Sequence, residues 1–428
     1  MLLNVLYLVA AIVALPWVAW RRLTGGRPVA APWTRFTGAI APPPPAGGQP
    51  RIWLHGVSVG EVQLLASLAG ELRSQAEAAG TPVDCVISSS TTTGLAVAAQ
   101  RFGADRAFPC PLDFTWAIDR VLDRVAPDLL VLGELELWPN LLARAARRGI
   151  PIVVANARMS ERSAAGYARI GPLVRRMLAH VDLVIARSQS DADRFAALGA
   201  RDVVVTGSMK FDGVKGDRLA ADVDRLRTLA GIAPDDIVFL AGSTQEPEER
   251  LAAEAFLALR EAHPRLRLVI VPRHVERSAD IAAALDSLGL HWQRRSRLDP
   301  DGADSAGRVL LVDATGELAW WWGTARIAFV GGSLDGVRGG QNMLEPAAYG
   351  AAVSFGPFTR NFKDEVARLR AADAAVVVTD GAELTAFVRR CLDEPAWAEA
   401  LGARAAALVA SQRGATVATA RLVLDTLQ

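Results

Sequence analysis

The chain has 428 residues, 51% of them hydrophobic, with 47 basic against 46 acidic side chains and a net charge of +1. That length exceeds what one core usually serves, about 250–300 residues, so two domains are expected. The near-neutral balance excludes the polyelectrolyte signature of a nucleic-acid binder, and three cysteines, Cys85, Cys110 and Cys391, with neither metal-ligand nor disulfide spacing, fit a reducing compartment.

Charge is uneven along the chain. Arg21, Arg22, Arg27, Arg35 and Arg51 all precede the first acidic residue, Glu61, so the amino-terminal end is purely cationic and suits anionic lipid headgroups. Leu2 to Trp20 carries no charge and is close to the ~20 residues that cross a hydrocarbon core. It reads as a membrane anchor, either spanning the bilayer or, given Asn4 and Pro16, lying in its interface with Trp17 and Trp20 at headgroup level. Arginines on its carboxyl side keep the following chain cytoplasmic. A stiff spacer, Ala41-Pro-Pro-Pro-Pro-Ala-Gly-Gly48, leads to the globular part near Arg51.

Arg51-Ile-Trp-Leu-His55 reads as a half-buried strand, broken by Gly56-Val-Ser-Val-Gly60. From Val62 the spacing is helical, with Val62, Leu65, Ala69 and Leu72 on one face. Glu61 thus sits in the first turn of a helix after a strand, where open α/β sheets place ligands. It either caps that helix or acts as a general base. Short apolar runs then alternate with helical patterns, the mark of βα units. Val83 to Ile87 is a strand followed by Ser88-Ser-Ser-Thr-Thr-Thr-Gly94, a hydroxyl-rich opening to a helix at Leu95 that can receive an anion. Asp128 to Gly133 is a strand entering Glu134-Leu-Glu-Leu-Trp-Pro-Asn140; if the strand continues, Glu134 and Glu136 share a face. Ile152 to Ala155, Val181 to Ala186 and Val203 to Val205 are further strands. The last leads to Lys210, one of only three lysines, which is placed either to meet a phosphate or carboxylate or simply at the surface.

Gly213 to Pro234 reads as an inter-domain connection. Strands restart at Ile237 to Ala241, before Gly242-Ser-Thr-Gln245, and at Leu266 to Val271, before Pro272-Arg-His274, an Arg–His pair suited to a phosphate. Arg326 to Val330 precedes Gly331-Gly-Ser333, and Gly339-Gly-Gln-Asn342 opens a helix holding Glu345. Glycines there allow close backbone approach to a ligand, and Glu345 is placed to accept from a ribose diol. Neither GxGxxG nor a Walker loop is present. Another strand ends at Val353-Ser-Phe-Gly-Pro357, and Pro395 to Gln428 is helical. Two βα domains of similar size describe an α/β fold of the glycosyltransferase B (GT-B) type, two Rossmann-like domains facing across a cleft, preceded by the membrane-anchoring helix. The expected segments are 1–22 for the anchor, 23–50 for a basic, Pro-rich linker, 51–215 for an acceptor-binding domain, 216–395 for a nucleotide-sugar domain and 396–428 for terminal helices that can pack back on the first domain.

In order, His55-Gly-Val-Ser-Val-Gly-Glu61, Ser90-Thr-Thr-Thr-Gly94, Glu134 to Asn140, Gly207-Ser-Met-Lys-Phe-Asp212, Pro272-Arg-His274, Gly331-Gly-Ser333, Gly339 to Pro346 and Gly356 to Phe362 resemble the blocks of the 3-deoxy-D-manno-octulosonic acid (Kdo) transferases of lipopolysaccharide assembly. The resemblance covers nearly the whole chain. It implies an inverting glycosyltransferase that moves Kdo from CMP-Kdo to a lipid A precursor at the cytoplasmic face of the inner membrane, with no metal or cofactor. It implies Glu61 as general base, assisted by Glu134 and Glu136. Donor contacts fall on Lys210, Ser243, Thr244, Arg273, His274, Gly332, Ser333, Gly340, Gln341, Asn342 and Glu345, with the phosphate on the loop amides and arginine. Acceptor contacts fall on His55, Ser58, Gly60, Ser90, Thr91, Thr92 and Thr93. Partners are the CMP-sugar, the lipid A precursor and an anionic membrane surface, with no nucleic acid. Gln245 and Gln341 stand where the family usually has histidine; glutamine can donate a hydrogen bond but carries no charge and shuttles no proton. That departure leaves two alternatives, a GT-B enzyme with another nucleotide sugar and a catalytically inactive membrane-bound homologue.

Overall fold

The computed structural model describes residues 3–9, 31–298 and 307–427. The chain divides into two compact units, residues 1–213 with 413–428, and residues 214–412.

Seven parallel strands build the first unit: β1 (Arg51–Gly56), β2 (Asp84–Ser89), β3 (Ala107–Pro109), β4 (Leu129–Gly133), β5 (Ile152–Ala157), β6 (Leu183–Ala186) and β7 (Val203–Val205). Their order is β3-β2-β1-β4-β5-β6-β7. Parallel strands covered by helices on both faces are buried on both and read as near-continuous apolar runs. Accordingly β1, β2, β4 and β5 are buried throughout. Trp53, Leu130 and Leu132 join the core on one side of the sheet, while Ile52, Leu54, Leu129 and Val131 join the other. At the amino end of β1 the buried Arg51 pairs with Asp84 at 2.7 Å and donates to the Val125 carbonyl at 3.0 Å. The helix Val59–Ala78 buries Val62, Leu65, Ala69 and Leu72, the face expected from their spacing. The terminal helix Ala415–Leu427 packs against it, with Asp212 accepting from the amides of Gly414 and Thr416 at 2.6 Å each.

The second unit holds another parallel sheet: β8 (Ile237–Thr244), β9 (Leu266–Pro272), β10 (Trp292–Arg294), β11 (Val309–Leu311), β12 (Ile327–Val330), β13 (Ala352–Phe355) and β14 (Val376–Val377), in the order β10-β11-β9-β8-β12-β13-β14. The terminal helices expected as one block over 396–428 are divided between the units, since Pro395–Ser411 packs on β13. The stretch read as an inter-domain connection is instead largely part of the second unit. Its helix Ala221–Leu229 buries Val223 and Leu226, giving it a core-facing side that a linker lacks.

Residues 3–9 are helical and tied to the first unit. Asn4 donates to Thr115 Oγ1 at 2.7 Å and accepts from Asn140 at 3.1 Å, and the Tyr7 hydroxyl donates to Asp113 at 3.0 Å. Among the described residues no helix is long and apolar enough to cross a membrane. The rest of the stretch expected to be the anchor lies outside the described residues.

Gly402 of the helix Pro395–Ser411 lies against the Gly350 carbonyl, where a Cβ would overlap backbone. Gly402→Ala should therefore cost about 1–3 kcal/mol of unfolding free energy, the usual range for overpacking. Gly70, inside the helix Val59–Ala78 with open space at its Cβ position, gives the opposite expectation. Gly70→Ala should gain about 0.5–1 kcal/mol. Urea denaturation of both variants checks the pair, and equal effects would contradict the packing.

Candidate active site

In the first sheet the chain leaves β1 toward β2 on one side, while β4 takes up the other side and continues to β5. The strand order thus reverses between β1 and β4, where an open α/β sheet forms its ligand crevice beyond the strand carboxyl ends. The acidic residues sit there. Glu61 occupies the first turn of Val59–Ala78, with Ser58 as N-cap accepting from the Glu61 amide at 3.3 Å. The Glu61 carboxylate in turn accepts from the Val57 amide and the Ser58 hydroxyl, both at 2.8 Å. These reciprocal bonds, close to a capping box but reaching the amide before the N-cap, fix its direction. Each oxygen keeps a lone pair for another partner, and the residue is half-buried.

Beyond β4 the strand does not continue. Glu134 turns into the left-handed region at φ 54°, so Glu134 and Glu136 belong to a loop and not to one face of a strand. Burial pushes the Glu134 carboxyl above the ordinary range, against the charges of Arg187, Lys210 and Arg158, and Glu61 adds to the rise. Burial also raises Glu136, opposed by a hydrogen bond from Trp138 at 2.9 Å and reinforced by Glu61 and Glu134. His55 closes the group from β1. It is fully buried, its Nδ1 lies 2.9 Å from Ser88 Oγ, and its Nε2 is unpartnered, 3.9 Å from Glu136. Burial lowers its pKa to about 4, so the ring is neutral at physiological pH.

The hydroxyl-rich run is committed inward more than the sequence implied. Ser88 Oγ accepts from Trp53, Ser89 and Thr91 both donate to the Val57 carbonyl, and Thr91 caps the helix Thr92–Phe102. These bonds brace the Val57–Glu61 turn. Ser58, Gly60, Thr92 and Thr93 remain exposed, and Ser90 is half-buried.

The second sheet reverses between β8 and β12. Its crevice is occupied by the buried side chain of Glu248, in the first turn of the helix Glu248–Leu259. One oxygen accepts from the amides of Gln245 (2.9 Å) and Gly332 (2.7 Å), the other from Ser333 (3.0 Å) and Leu334 (3.1 Å). Gly331 must lack a side chain, because a Cβ would overlap Glu248 and the Thr244 backbone. The Gly332 and Ser333 amides are therefore not free for a phosphate, a correction to the expected phosphate contact. Ser333 Oγ accepts from the Gly356 amide at 2.8 Å and holds the next loop. Glu345 accepts from Trp322 Nε1 (3.0 Å) and Asn342 (3.1 Å), and burial raises its carboxyl against those bonds and the charge of Arg273. Asn361 donates to the carbonyls of Arg338 and Gly340 and so fixes the glycine turn.

Comparison with known proteins bears on this pair of sites. A family model described as 3-deoxy-D-manno-octulosonic-acid transferase matches residues 33–213. The 3-deoxy-D-manno-octulosonic acid transferase of Bordetella pertussis is 36% identical over 96% of this chain and 94% of its own length. The chain belongs to the Kdo transferase family. The enzyme of the same name from Haemophilus influenzae is 34% identical over 89% of this chain and 87% of its own. In fold, the chain is similar to the UDP-GlcNAc 2-epimerase of Neisseria meningitidis solved with UDP-GlcNAc, with a TM-score of 0.56 and 14% identity over 88% of this chain and 99% of that one. Two parallel sheets with helices and neighbours of this kind make the architecture GT-B-like.

Of the residues singled out in this Kdo transferase, Glu61, Glu134, Glu136 and His55 come together in the first unit. Lys210 joins them in the first unit, where its charge acts on Glu134. In the second unit Ser243 and Thr244 end β8 and Gln245 follows it, and Arg273 and His274 are exposed after β9. Gln341 packs over Gly332, next to Gly340, Asn342 and Glu345. Among the described residues no group of three or more His, Cys, Asp and Glu is arranged to hold a metal ion. Sequence reasoning passed over Glu248, Arg187 and Asp113. Glu248 had a usable signal, a glutamate three residues after the amide it accepts at a helix start. Arg187 and Asp113 stand in sequence surroundings without a pattern.

Two outcomes test this geometry. Glu248→Gln keeps the shape but turns an amino group toward two amide donors. Stranding them at about 1–3 kcal/mol each should lower stability by roughly 2–6 kcal/mol in chemical denaturation; an unchanged midpoint would refute the clamp. For His55 the folded pKa of about 4 lies below the ordinary 6.5, so the unfolded chain binds more protons between those values. The stabilising effect of keeping the ring neutral is present above about pH 6.5 and is lost as pH falls toward 4. Native protein should lose stability over that window faster than His55→Gln, measured by urea titration at several pH values. Parallel curves would contradict a buried neutral ring.

Proposed function

We propose that this Kdo transferase moves Kdo from CMP-Kdo to a lipid A precursor at the cytoplasmic face of the inner membrane. The observation that carries the reading is the convergence of Glu61, Glu134 and Glu136 at the reversal of the first sheet, beside a neutral buried imidazole and the cations Arg187, Arg158 and Lys210. Glu61 is the one held in a fixed direction with lone pairs to spare, which suits a general base. In the proposed step it takes the proton of the acceptor hydroxyl as that oxygen bonds to the anomeric carbon. The bond from that carbon to the CMP phosphate oxygen breaks, the electron pair leaves with CMP, and the configuration inverts. Glu134 and Glu136 assist from the same loop. Arg273, Asn342 and Glu345 belong to the donor side, with Arg273 exposed for the phosphate and Glu345 and Asn342 joined as one polar pair for the ribose. No metal takes part in this reading. The uncharged amino-terminal stretch and its arginines are the membrane contact, with residues 3–9 held by Asn4 and Tyr7.

Incubation of the full chain with CMP-Kdo and a tetraacyl disaccharide bisphosphate in mixed micelles should release CMP at a rate unaffected by a metal chelator. Glu61→Ala should lower kcat/KM by about 10²–10⁴-fold, the usual contribution of general-base help. No CMP release by the native chain would overturn the reading. Release with a UDP- or GDP-sugar instead would assign another donor.

A further inference from the structure

A second cationic site lies at the opposite edge of the second sheet from the donor loops. A cavity of about 260 Å³ opens at the amino ends of β8 and β12, lined by Arg218, Arg227 and Arg326 over an apolar floor that includes Ile327, Cys391 and Ala398. The donor loops follow the carboxyl ends of the same strands. At roughly 3.3 Å per residue, the length of β8 alone separates the two places by about 23 Å, so this cavity is not an extension of the donor site.

The three guanidinium groups are not all explained by the fold. Arg218 donates to the carbonyls of Tyr349 (2.6 Å), Gly323 (2.9 Å) and Ala325 (2.7 Å), which holds the turn after Trp322–Thr324. Arg227 makes one weak bond, to the Gly323 carbonyl at 3.3 Å, and its Nε is buried without a hydrogen-bond partner. Arg326 has Glu399 at 3.8 Å, but both side chains are well exposed, where such a pair contributes little. Burial pulls the Arg218 pKa down to about 10, and the charges of Arg227 and Arg326 add to the fall. Three positive groups thus share one recess with one loosely held carboxylate, and one buried donor lacks an acceptor. An anion in the recess would relieve that repulsion. The apolar floor calls for carbon as well as charge, and the volume limits the ligand to a small one.

We propose that this recess binds a small organic phosphate with a short apolar body, its phosphate on Arg227 and Arg326 and its carbon chain on Ile327, Cys391 and Ala398. The phosphate belongs either to a free phosphate monoester or to a lipid headgroup, which share this chemistry.

The test uses the full chain with hexyl phosphate as probe, against inorganic phosphate, hexanol and vesicles containing phosphatidate, read by calorimetry and thermal melting. Hexyl phosphate should bind and raise the melting temperature, inorganic phosphate should bind on the order of tenfold more weakly, and hexanol should do neither. Arg227→Gln and Arg326→Gln should each weaken hexyl phosphate on the order of tenfold, the size of one charge-assisted hydrogen bond. Without anion, Arg227→Gln should melt at or above the native temperature, because it removes a like charge and a stranded donor. Vesicle binding that is lost in both variants assigns the headgroup as the source; binding of the monomeric probe alone assigns the free ester. If hexyl phosphate binds both variants as it binds the native chain, or binds no better than inorganic phosphate, the proposal fails. It fails too if Arg227→Gln merely melts earlier and the probe stabilises nothing, since the cluster is then structural only.

Discussion

A parallel sheet admits a ligand at its edge only where neighbouring connections depart in opposite directions, and each unit of this chain has one such place. Between β1 and β4, and again between β8 and β12, the strand order reverses, and the loops beyond the strand carboxyl ends part to leave a crevice. The residues assigned to the transfer reaction gather at the strand carboxyl ends around these two points. The need for fully apolar strands buried on both faces leaves the strand ends as the first positions where the chain can place polar chemistry. Of the buried polar residues in the strands, His55, Ser88, Ser89, Asn156, Ser243, Thr244 and Ser354 lie within a residue or two of a carboxyl end, while Arg51, Asp84 and Arg267 are ion-paired at the amino ends.

The two crevices use the same device for different purposes. In each, the strand at the centre of the reversal runs into a helix whose first turn holds a glutamate: Glu61 after β1 and Glu248 after β8. Glu61 accepts one amide and one hydroxyl and remains half-buried. Glu248 is buried and accepts four amides, from three residues of the Gly331–Leu334 loop and from Gln245. One carboxylate keeps capacity for a substrate; the other is saturated by the protein. Glu248 is thus a brace that sets the loop against β8, so that Gly339–Asn342, Asn361 and Gly356 can be held against it in turn. The amides of the Gly331–Leu334 loop face inward, toward Glu248, and the Ser333 hydroxyl is spent on the Val330 carbonyl and the Gly356 amide.

Much of this was legible in the sequence. The apolar runs gave most long strands to within two residues, because a doubly buried strand leaves no room for polar interruption. Strands β3, β10, β11 and β14, of two or three residues each, went unread, whereas the equally short β7 stood out as three valines in a row; three of the four are sheet edges. The spacing of Val62, Leu65, Ala69 and Leu72 placed Glu61 in the first turn of a helix, and the structure puts it there with Ser58 as N-cap. The glycine turns announced close approach, but at Gly331 the approaching group is Glu248, a partner remote in sequence from that loop. Hydroxyls such as Ser89 and Thr91 looked free for a ligand because their acceptor, the Val57 carbonyl, lies more than thirty residues away. Long-range pairing of polar groups follows no local period, and that is what the sequence concealed.

The electrostatics of the first crevice explain why its members occur together. Burial raises the Glu134 and Glu136 carboxyls, and the neighbouring carboxylates, Glu61 among them, add to the rise. Arg187, Arg158 and Lys210 oppose the rise at Glu134, and His55, kept neutral by burial, adds no charge of its own and leaves an unpartnered nitrogen toward Glu136. A protonated histidine at that position would bind Glu136 as an ion pair and withdraw it from proton exchange. The buried ring instead faces it with a group whose protonation does not change over the physiological range, so the balance between carboxylates and cations is left to be altered by whatever binds beside them.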